Sequence, residues 1–457
     1  MAQRIRQRRL SPVELAEAHL RQIEKHNPKL NAFVGLFADE ARQVARDREA
    51  ELARGREPGP LHGVPVTVKD SFDVAGVPTL CGSRLREGHR AARDSTAAAR
   101  LRAAGAVLLG KTNCPEFLMN YETDNYVTGR TNNPWDLERT PGGSSGGEAA
   151  AIAAFCSAGG VGSDGGGSIR VPAHFCGIVG LKPTPGRVPA TGHYPEIAHP
   201  GGLLGVAGPL ARTVADVRLL FSVLAGHDPL DPFSAPVPLR EMPSGDVRIG
   251  AMEQLGGVPV EAPIREAVRG AASLLRSLGH TVEPFASPVL ERAAELWKFF
   301  FQELPLTVMR DLLAGQRDKI HWSGAEMFEQ VMDKPEPSGK QVLENLVARD
   351  KLRARLLGQM EEHRVLLWPA CGVVAFRHRQ RRWETPERTI DYGEAMRPLT
   401  PVNLLGLPAV VLPFQVTPGD LPVGIQLVGR PYEEELLLEL AARLEEARGP
   451  LPGPPGF

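Results

Sequence analysis

Short β-branched apolar runs alternate with helical segments along most of the 457-residue chain, and this alternation constrains the fold more than any other feature. Val64-Pro65-Val66-Thr67-Val68-Lys69-Asp70 predicts a strand that ends on charge. A helix over 95–104 and a strand over 106–109 follow, then an Ala-rich helix over 146–158 and a strand with a turn at 178–183. Residues 246–251, 262–278 and 280–285 repeat the strand, helix, strand order. The C-terminal part predicts a strand (409–416), a turn at Pro418-Gly419-Asp420, a strand (423–428) and a helix (432–447). Near the N-terminus, Ser11-Pro12-Val13-Glu14 supplies a cap, a proline at the first helical position and a capping-box acid. Asn27-Pro28 is expected to close that helix, and a charged helix follows over roughly 37–54. Strands alternating with helices imply an α/β fold with a central mixed, largely parallel sheet covered by helices on both faces. With no internal repeat or low-complexity linker, residues 1–457 are expected to form a single large domain, with the GPLPGPPGF tail disordered.

Composition removes several classes of function. A net charge of −1 creates no field favouring nucleic acid or an anionic membrane. No uncharged apolar run reaches the ~18–20 residues that span a bilayer. The stretch 149–163 comes nearest, but its small residues suit a tightly packed internal helix. The basic MAQRIRQRR start lacks the apolar core of a signal peptide. Cys81, Cys114, Cys156, Cys176 and Cys371 form no CxxC pair, which predicts reduced, mostly buried thiols in a cytoplasmic protein. The twelve histidines show no metal-ligand spacing, so no metal is expected. Gly105-Ala-Val-Leu-Leu-Gly110-Lys111-Thr112 matches the phosphate-loop pattern letter for letter. Its AVLL interior predicts a buried strand instead, and Pro115 falls where the phosphate-capping helix would run. No organic cofactor is implied.

Residues 286–345 interrupt the alternation and crowd Trp297, Phe299, Phe300, Phe301, Trp322 and Phe328 into a chain that is only 6% aromatic. Two readings stand side by side: helical core, or an inserted helical cap whose aromatics wall a substrate cleft.

Two glycine–serine clusters carry the chemistry. GGSSGG (142–147) leads directly into EAAAIAAF, a strong helix former, so Ser144 and Ser145 stand at a helix entrance. GSDGGGSIR (162–170) places three glycines before Ser168. The N–H groups of such a run can converge as an anion-binding nest, and a serine directly after it is placed to attack while the nest receives the oxyanion. The serine needs a base. His62 and His174 lie nearest in sequence, but neither completes a serine–histidine–acid set. Lys69, at the end of an apolar strand, can serve if burial lowers its pKa by about 2–3 units. An ion pair with a carboxylate is the alternative for that lysine.

These clusters, with Gly177-Ile178-Val179-Gly180-Leu181-Lys182-Pro183-Thr184-Pro185-Gly186-Arg187 and the upstream His62-Gly63-Val64-Pro65-Val66-Thr67-Val68-Lys69-Asp70, resemble the amidase signature family. Gly110-Lys111-Thr112-Asn113, Asn133-Pro134-Trp135 and Leu421-Pro422-Val423-Gly424-Ile425-Gln426 resemble further segments of it. The resemblance spans most of the chain, has its core at 60–190 and weakens between about 286 and 400. It implies a Ser–cis-Ser–Lys triad of Ser168 (nucleophile), Ser144 (bridge, after a cis Gly143–Ser144 peptide) and Lys69 (base). It also implies an oxyanion hole from the N–H groups of Gly165, Gly166, Gly167 and Ser168. Ser145, Asp164 and Arg170 are expected to orient the loops.

The activity so implied is hydrolysis of small-molecule amides through an acyl-serine, with aryl and alkyl amides as substrates and carbamates and esters as further ones. A monomer or homodimer suffices for it. The alternative within the family is the A (glutaminase) subunit of a tRNA-dependent amidotransferase. Its glutamine-recognition segment is expected between about 300 and 400, where this chain has HWSGAEMFEQVM and VARDKLRARLLGQMEEHRVLLWPAC instead.

Overall fold

In the computed structural model, which describes residues 1–198, 201–240, 245–326 and 334–457, one large sheet runs through the molecule. Its strands, in chain order, are β1 (Phe33–Leu36), β2 (Pro65–Lys69), β3 (Val107–Thr112), β4 (Gly159–Asp164), β5 (Val179–Lys182), β6 (Val206–Ala211), β7 (Arg248–Ala251), β8 (Thr281–Pro284) and β9 (Val365–Pro369). A separate small pair, β10 (Arg382–Glu384) and β11 (Thr389–Asp391), precedes β12 (Ala409–Val416) and β13 (Pro422–Gly429). The eleven strands of the large sheet lie in the order β1-β3-β2-β4-β6-β5-β12-β13-β9-β7-β8.

The sheet is mixed, as the alternation implies, but its parallel part is smaller than expected. Parallel pairing is confined to two flanks, β3-β2-β4 and β9-β7-β8. The middle, from β4 through β6, β5, β12 and β13 to β9, is antiparallel throughout. For one of these pairs the reason lies in the connection. β12 and β13 are joined by a short turn with Asp420 at φ 59°, and a turn that short permits only antiparallel return.

Several boundaries also move. The first long helix runs through Pro28 to Leu30, and Asn31 in the left-handed conformation ends it. Asn27 still marks the exit, because its side chain accepts from the N–H groups of Ala32 and Phe33 at 2.8 and 3.0 Å. The Ala-rich helix covers only Gly146–Ala153, and residues from Gly159 onward are strand rather than internal helix. Phe155, at φ 59°, turns the chain between them. The C-terminal tail is not disordered: the Phe457 ring lies 4.7 Å from that of His26.

Within residues 286–345 the aromatic side chains pack in different places. The helix Pro288–Lys298 and the turn Phe299–Glu303 bury Phe299 and Phe300 in a core shared with Trp368 and Leu404. Trp297 and Phe301 stack on each other, centroids 4.4 Å apart, and face the glycine cluster. Trp322 lies beneath the guanidinium groups of Arg379 and Arg381. Phe328 lies outside the described residues.

The fold places β2 and β4 side by side in parallel, with Thr67 opposite Gly160 and Val68 opposite Val161. Their carboxyl ends, Lys69 and Asp164, therefore emerge at the same edge, where open α/β sheets bind ligands. Close approach here needs a residue without Cβ at Gly160, where a side chain would collide with the Glu148 carboxyl and the Thr67 carbonyl. No helix among the described residues is long and apolar enough to cross a membrane.

Candidate active site

Lys69 is fully buried, and its ammonium position is defined by two hydroxyls. Nζ lies 2.7 Å from Ser144 Oγ and 3.1 Å from Ser163 Oγ. It forms no ion pair among the described residues. The adjacent carboxylate, Asp70, is taken by Lys111 at 2.8 Å, which also gives the lysine of the phosphate-loop look-alike a structural duty. Burial lowers the Lys69 pKa to about 8, against the opposing pull of Cys114, Cys81, Asp164 and Glu148. Glu148 itself is pushed up to about 7 by burial, although Thr67 and Thr112 donate to it.

The two glycine–serine clusters meet. Ser145 N–H donates to the Ser168 carbonyl at 3.1 Å, and Ser145 Oγ donates to the Ser163 carbonyl at 3.3 Å. The Gly143–Ser144 peptide is cis. Ser168 is 7% exposed, and its hydroxyl carries no hydrogen bond among the described residues. The Lys69–Ser144 link is thus made, while the Ser144–Ser168 link is not closed as a hydrogen bond. In ligand-free sites such bonds commonly tighten only when substrate arrives.

Asp164 and Arg170 form the frame beneath Ser168. Both side chains have no exposure and pair at 3.0 Å. Asp164 also accepts from the N–H groups of Gly167 (2.7 Å), Ile169 (3.1 Å) and Arg170 (3.4 Å) and from Asn403 Nδ2 (2.9 Å). Burial alone pushes this carboxyl up, but Arg170, Lys182 and Asn403 together hold it well below the usual carboxylate range. Arg170 further reaches Gln426 Oε1 at 2.7 Å and the Leu399 carbonyl at 3.0 Å. The frame changes the expected oxyanion hole. Gly167 N–H is spent on Asp164, whereas the N–H groups of Gly165, Gly166 and Ser168 have no partner among the described residues.

The remaining candidates have structural roles. His62 Nε2 meets the Arg48 carbonyl at 2.8 Å. His174 bridges Gly424 N–H and the Val373 carbonyl, and burial lowers its pKa to about 4. All five cysteines are buried and unpaired. No cluster of metal-ligating side chains occurs among the described residues. Three contacts lay beyond sequence reasoning: Ser163 on Lys69, Tyr121 Oη on the Gly166 carbonyl (2.7 Å) and Trp297 Nε1 on the Gly165 carbonyl (3.0 Å).

The family model described as Amidase matches residues 14–438. The chain belongs to the amidase signature family. This amidase is 37% identical, over 98% of its length and 95% of the relative's, to the A subunit of the glutamyl-tRNA(Gln) amidotransferase of Anaeromyxobacter sp. (strain K). It is 34% identical to the indoleacetamide hydrolase of Bradyrhizobium diazoefficiens, with 98% and 85% of the two chains covered. The solved structure of a bacterial aryl acylamidase of the amidase signature family superposes with a TM-score of 0.86, at 29% identity, covering 98% of this chain and 95% of that one. The amidase is accordingly a hydrolase acting on carbon–nitrogen bonds of amides.

Proposed function

We propose that this amidase is a free-standing serine hydrolase that cleaves small aryl and alkyl amides through an acyl-Ser168 intermediate, with esters and carbamates as further substrates. The observation that carries this reading is the buried, unpaired Lys69 amine 2.7 Å from Ser144 Oγ. Neutral Lys69 takes a proton from Ser144 as Ser144 takes one from Ser168, and Ser168 Oγ attacks the acyl carbon. The oxyanion is received by the N–H groups of Gly165, Gly166 and Ser168; each such donor is worth about 3–4 kcal/mol in the transition state. The proton returns through Ser144 to the leaving nitrogen, and the C–N bond breaks. Water then repeats the path, giving up its proton toward Lys69 and releasing the acid and Ser168. Ser145, Asp164 and Arg170 act by holding the two clusters together. The cap supplies the stacked Trp297–Phe301 pair as the wall of an apolar acyl pocket, which suits flat or alkyl acyl groups. One chain contains every group named, so a monomer or homodimer is sufficient. The five free thiols suit the reducing cytoplasm.

The second reading, the glutaminase component of an amidotransferase, is favoured by the 37% identity to such a protein. One experiment tests both. The purified chain is assayed with acyl nitroanilides, a carbamate and glutamine, and Ser168→Ala is run beside it. Anilide cleavage by the chain alone, lost in Ser168→Ala together with labelling by a fluorophosphonate, is the expected result. Glutaminase activity only after partner proteins are added contradicts it.

A further inference from the structure

We infer that Trp297 is a positioning residue for an oxyanion donor, the Gly166 N–H, and that Tyr121 fixes the adjoining Gly166–Gly167 peptide of the same nest, so that Trp297 of the cap sets the rate of acyl transfer as well as enclosing the acyl group. This inference rests on the acyl-Ser168 reading above. Tyr121 Oη donates to the Gly166 carbonyl at 2.7 Å, and Trp297 Nε1 donates to the Gly165 carbonyl at 3.0 Å. In a planar trans peptide the C=O and the next N–H point in opposite directions. Holding the Gly165 carbonyl therefore aims the N–H of Gly166, and holding the Gly166 carbonyl aims the N–H of Gly167 into Asp164 Oδ1, where it is found at 2.7 Å. Three consecutive glycines have little torsional preference of their own, so the direction of these N–H groups must come from outside the run.

Both clamps are themselves well held. Tyr392 Oη accepts from Tyr121 N–H at 3.2 Å and donates to Asn120 Oδ1 at 2.6 Å. The Trp297 ring is 5% exposed and lies against Phe301 at an interplanar angle of 17°. A side chain at Gly166 would collide with the Trp297 ring, and one at Gly165 would meet Phe301 at 3.1 Å. The ring pair that faces the acyl group thus also rests on the backbone that stabilises its oxyanion. Burial raises the Tyr121 hydroxyl above its ordinary pKa, which keeps it a donor throughout the working range.

Tyr121→Phe and Trp297→Phe remove one donor each while keeping a ring. Purified variants are compared with the parent for kcat and KM on an acyl nitroanilide. Inhibition by an aldehyde that forms a tetrahedral serine adduct, and by the product acid, is measured in parallel. Each variant is expected to lower kcat by about 10- to 100-fold with KM within threefold, and to weaken the aldehyde, but not the acid, by a similar factor. An unchanged kcat, or a rise in KM alone with both inhibitors weakened equally, overturns the inference. If Trp297→Phe fails to fold, Tyr121→Phe, which removes a single oxygen, decides alone. Ser168→Ala in the same series separates the levels: full activity there refutes the acyl-serine reading, whereas an inactive Ser168→Ala beside unperturbed Tyr121→Phe and Trp297→Phe refutes only the clamp.

Discussion

Asp164→Asn changes one oxygen to nitrogen at the point where the site and the core are joined. The Asp164 carboxylate accepts six hydrogen bonds, from Gly167, Ile169 and Arg170 N–H, Arg170 Nε and Nη2, and Asn403 Nδ2. An asparagine keeps one acceptor oxygen but turns an NH₂ toward donors on its other side. Arg170 then remains fully buried without its counter-charge. Breaking a buried pair by removing one partner typically costs about 3–5 kcal/mol, because the remaining ion is uncompensated. Either orientation of the amide turns its NH₂ on backbone donors of the nucleophile loop, Gly167 N–H on one side or Ile169 and Arg170 N–H on the other, so acylation should slow even in molecules that remain folded. The assay is urea unfolding followed by tryptophan fluorescence, with fluorophosphonate labelling of Ser168 below the transition. A midpoint drop corresponding to at least about 3 kcal/mol is expected, together with labelling at least tenfold slower. Glu439→Gln, which breaks the exposed pair with Arg218, serves as the control and should leave the midpoint unmoved. A midpoint for Asp164→Asn equal to that of the control would refute the view that this pair frames the site.

Gly166→Ala should keep the fold but lose most amide turnover, since the new methyl group displaces Trp297 from the nest; circular dichroism and anilide turnover would show it. Prolonged dialysis against EDTA should leave activity unchanged, because nucleophile, base and oxyanion donors are all protein groups; a loss restored by a divalent ion would contradict this. Lys182 is buried, donates to the Pro183 and Leu407 carbonyls, and has a pKa lowered by burial to about 7. The unfolded chain binds more protons at this group between pH 7 and about 10, so its contribution to stability rises with pH across that window. Lys182→Met should flatten this rise, as read from melting temperatures at pH 7 and 9.5.

Much of this was legible in residues that act locally. The strand ending at Lys69 declares itself through Val64, Val66 and Val68, and Ser168 through the glycines before it. The hairpin of β12 and β13 is announced by Pro418-Gly419-Asp420. Legibility fails where partners are far apart in sequence. β4 and β6 are built from GGVGSD and VAGPLA, which lack a β-branched run and become strands because neighbours on both sides pair with them. Their pairing makes the centre of the sheet antiparallel, which the strand–helix alternation could not reveal. The engagement of Gly167 by Asp164 follows from a turn whose shape the letters GSDGGGS do not fix. Tyr121, Trp297 and Asn403 reach the nest from 45, 132 and 239 residues away along the chain, and nothing in their own neighbourhoods signals it.

The proposed chemistry requires Lys69 to work as a neutral amine. Its pKa of about 8 makes the protonated, inactive form dominate below that value. The most direct test is the pH dependence of kcat/KM for an acyl anilide from pH 5.5 to 10, measured on the parent and on Lys69→Met. A limb that rises tenfold per pH unit and levels near pH 8 is expected, with near-complete loss of activity in the variant. A flat profile, or a Lys69→Met enzyme that retains both the activity and the limb, would contradict it.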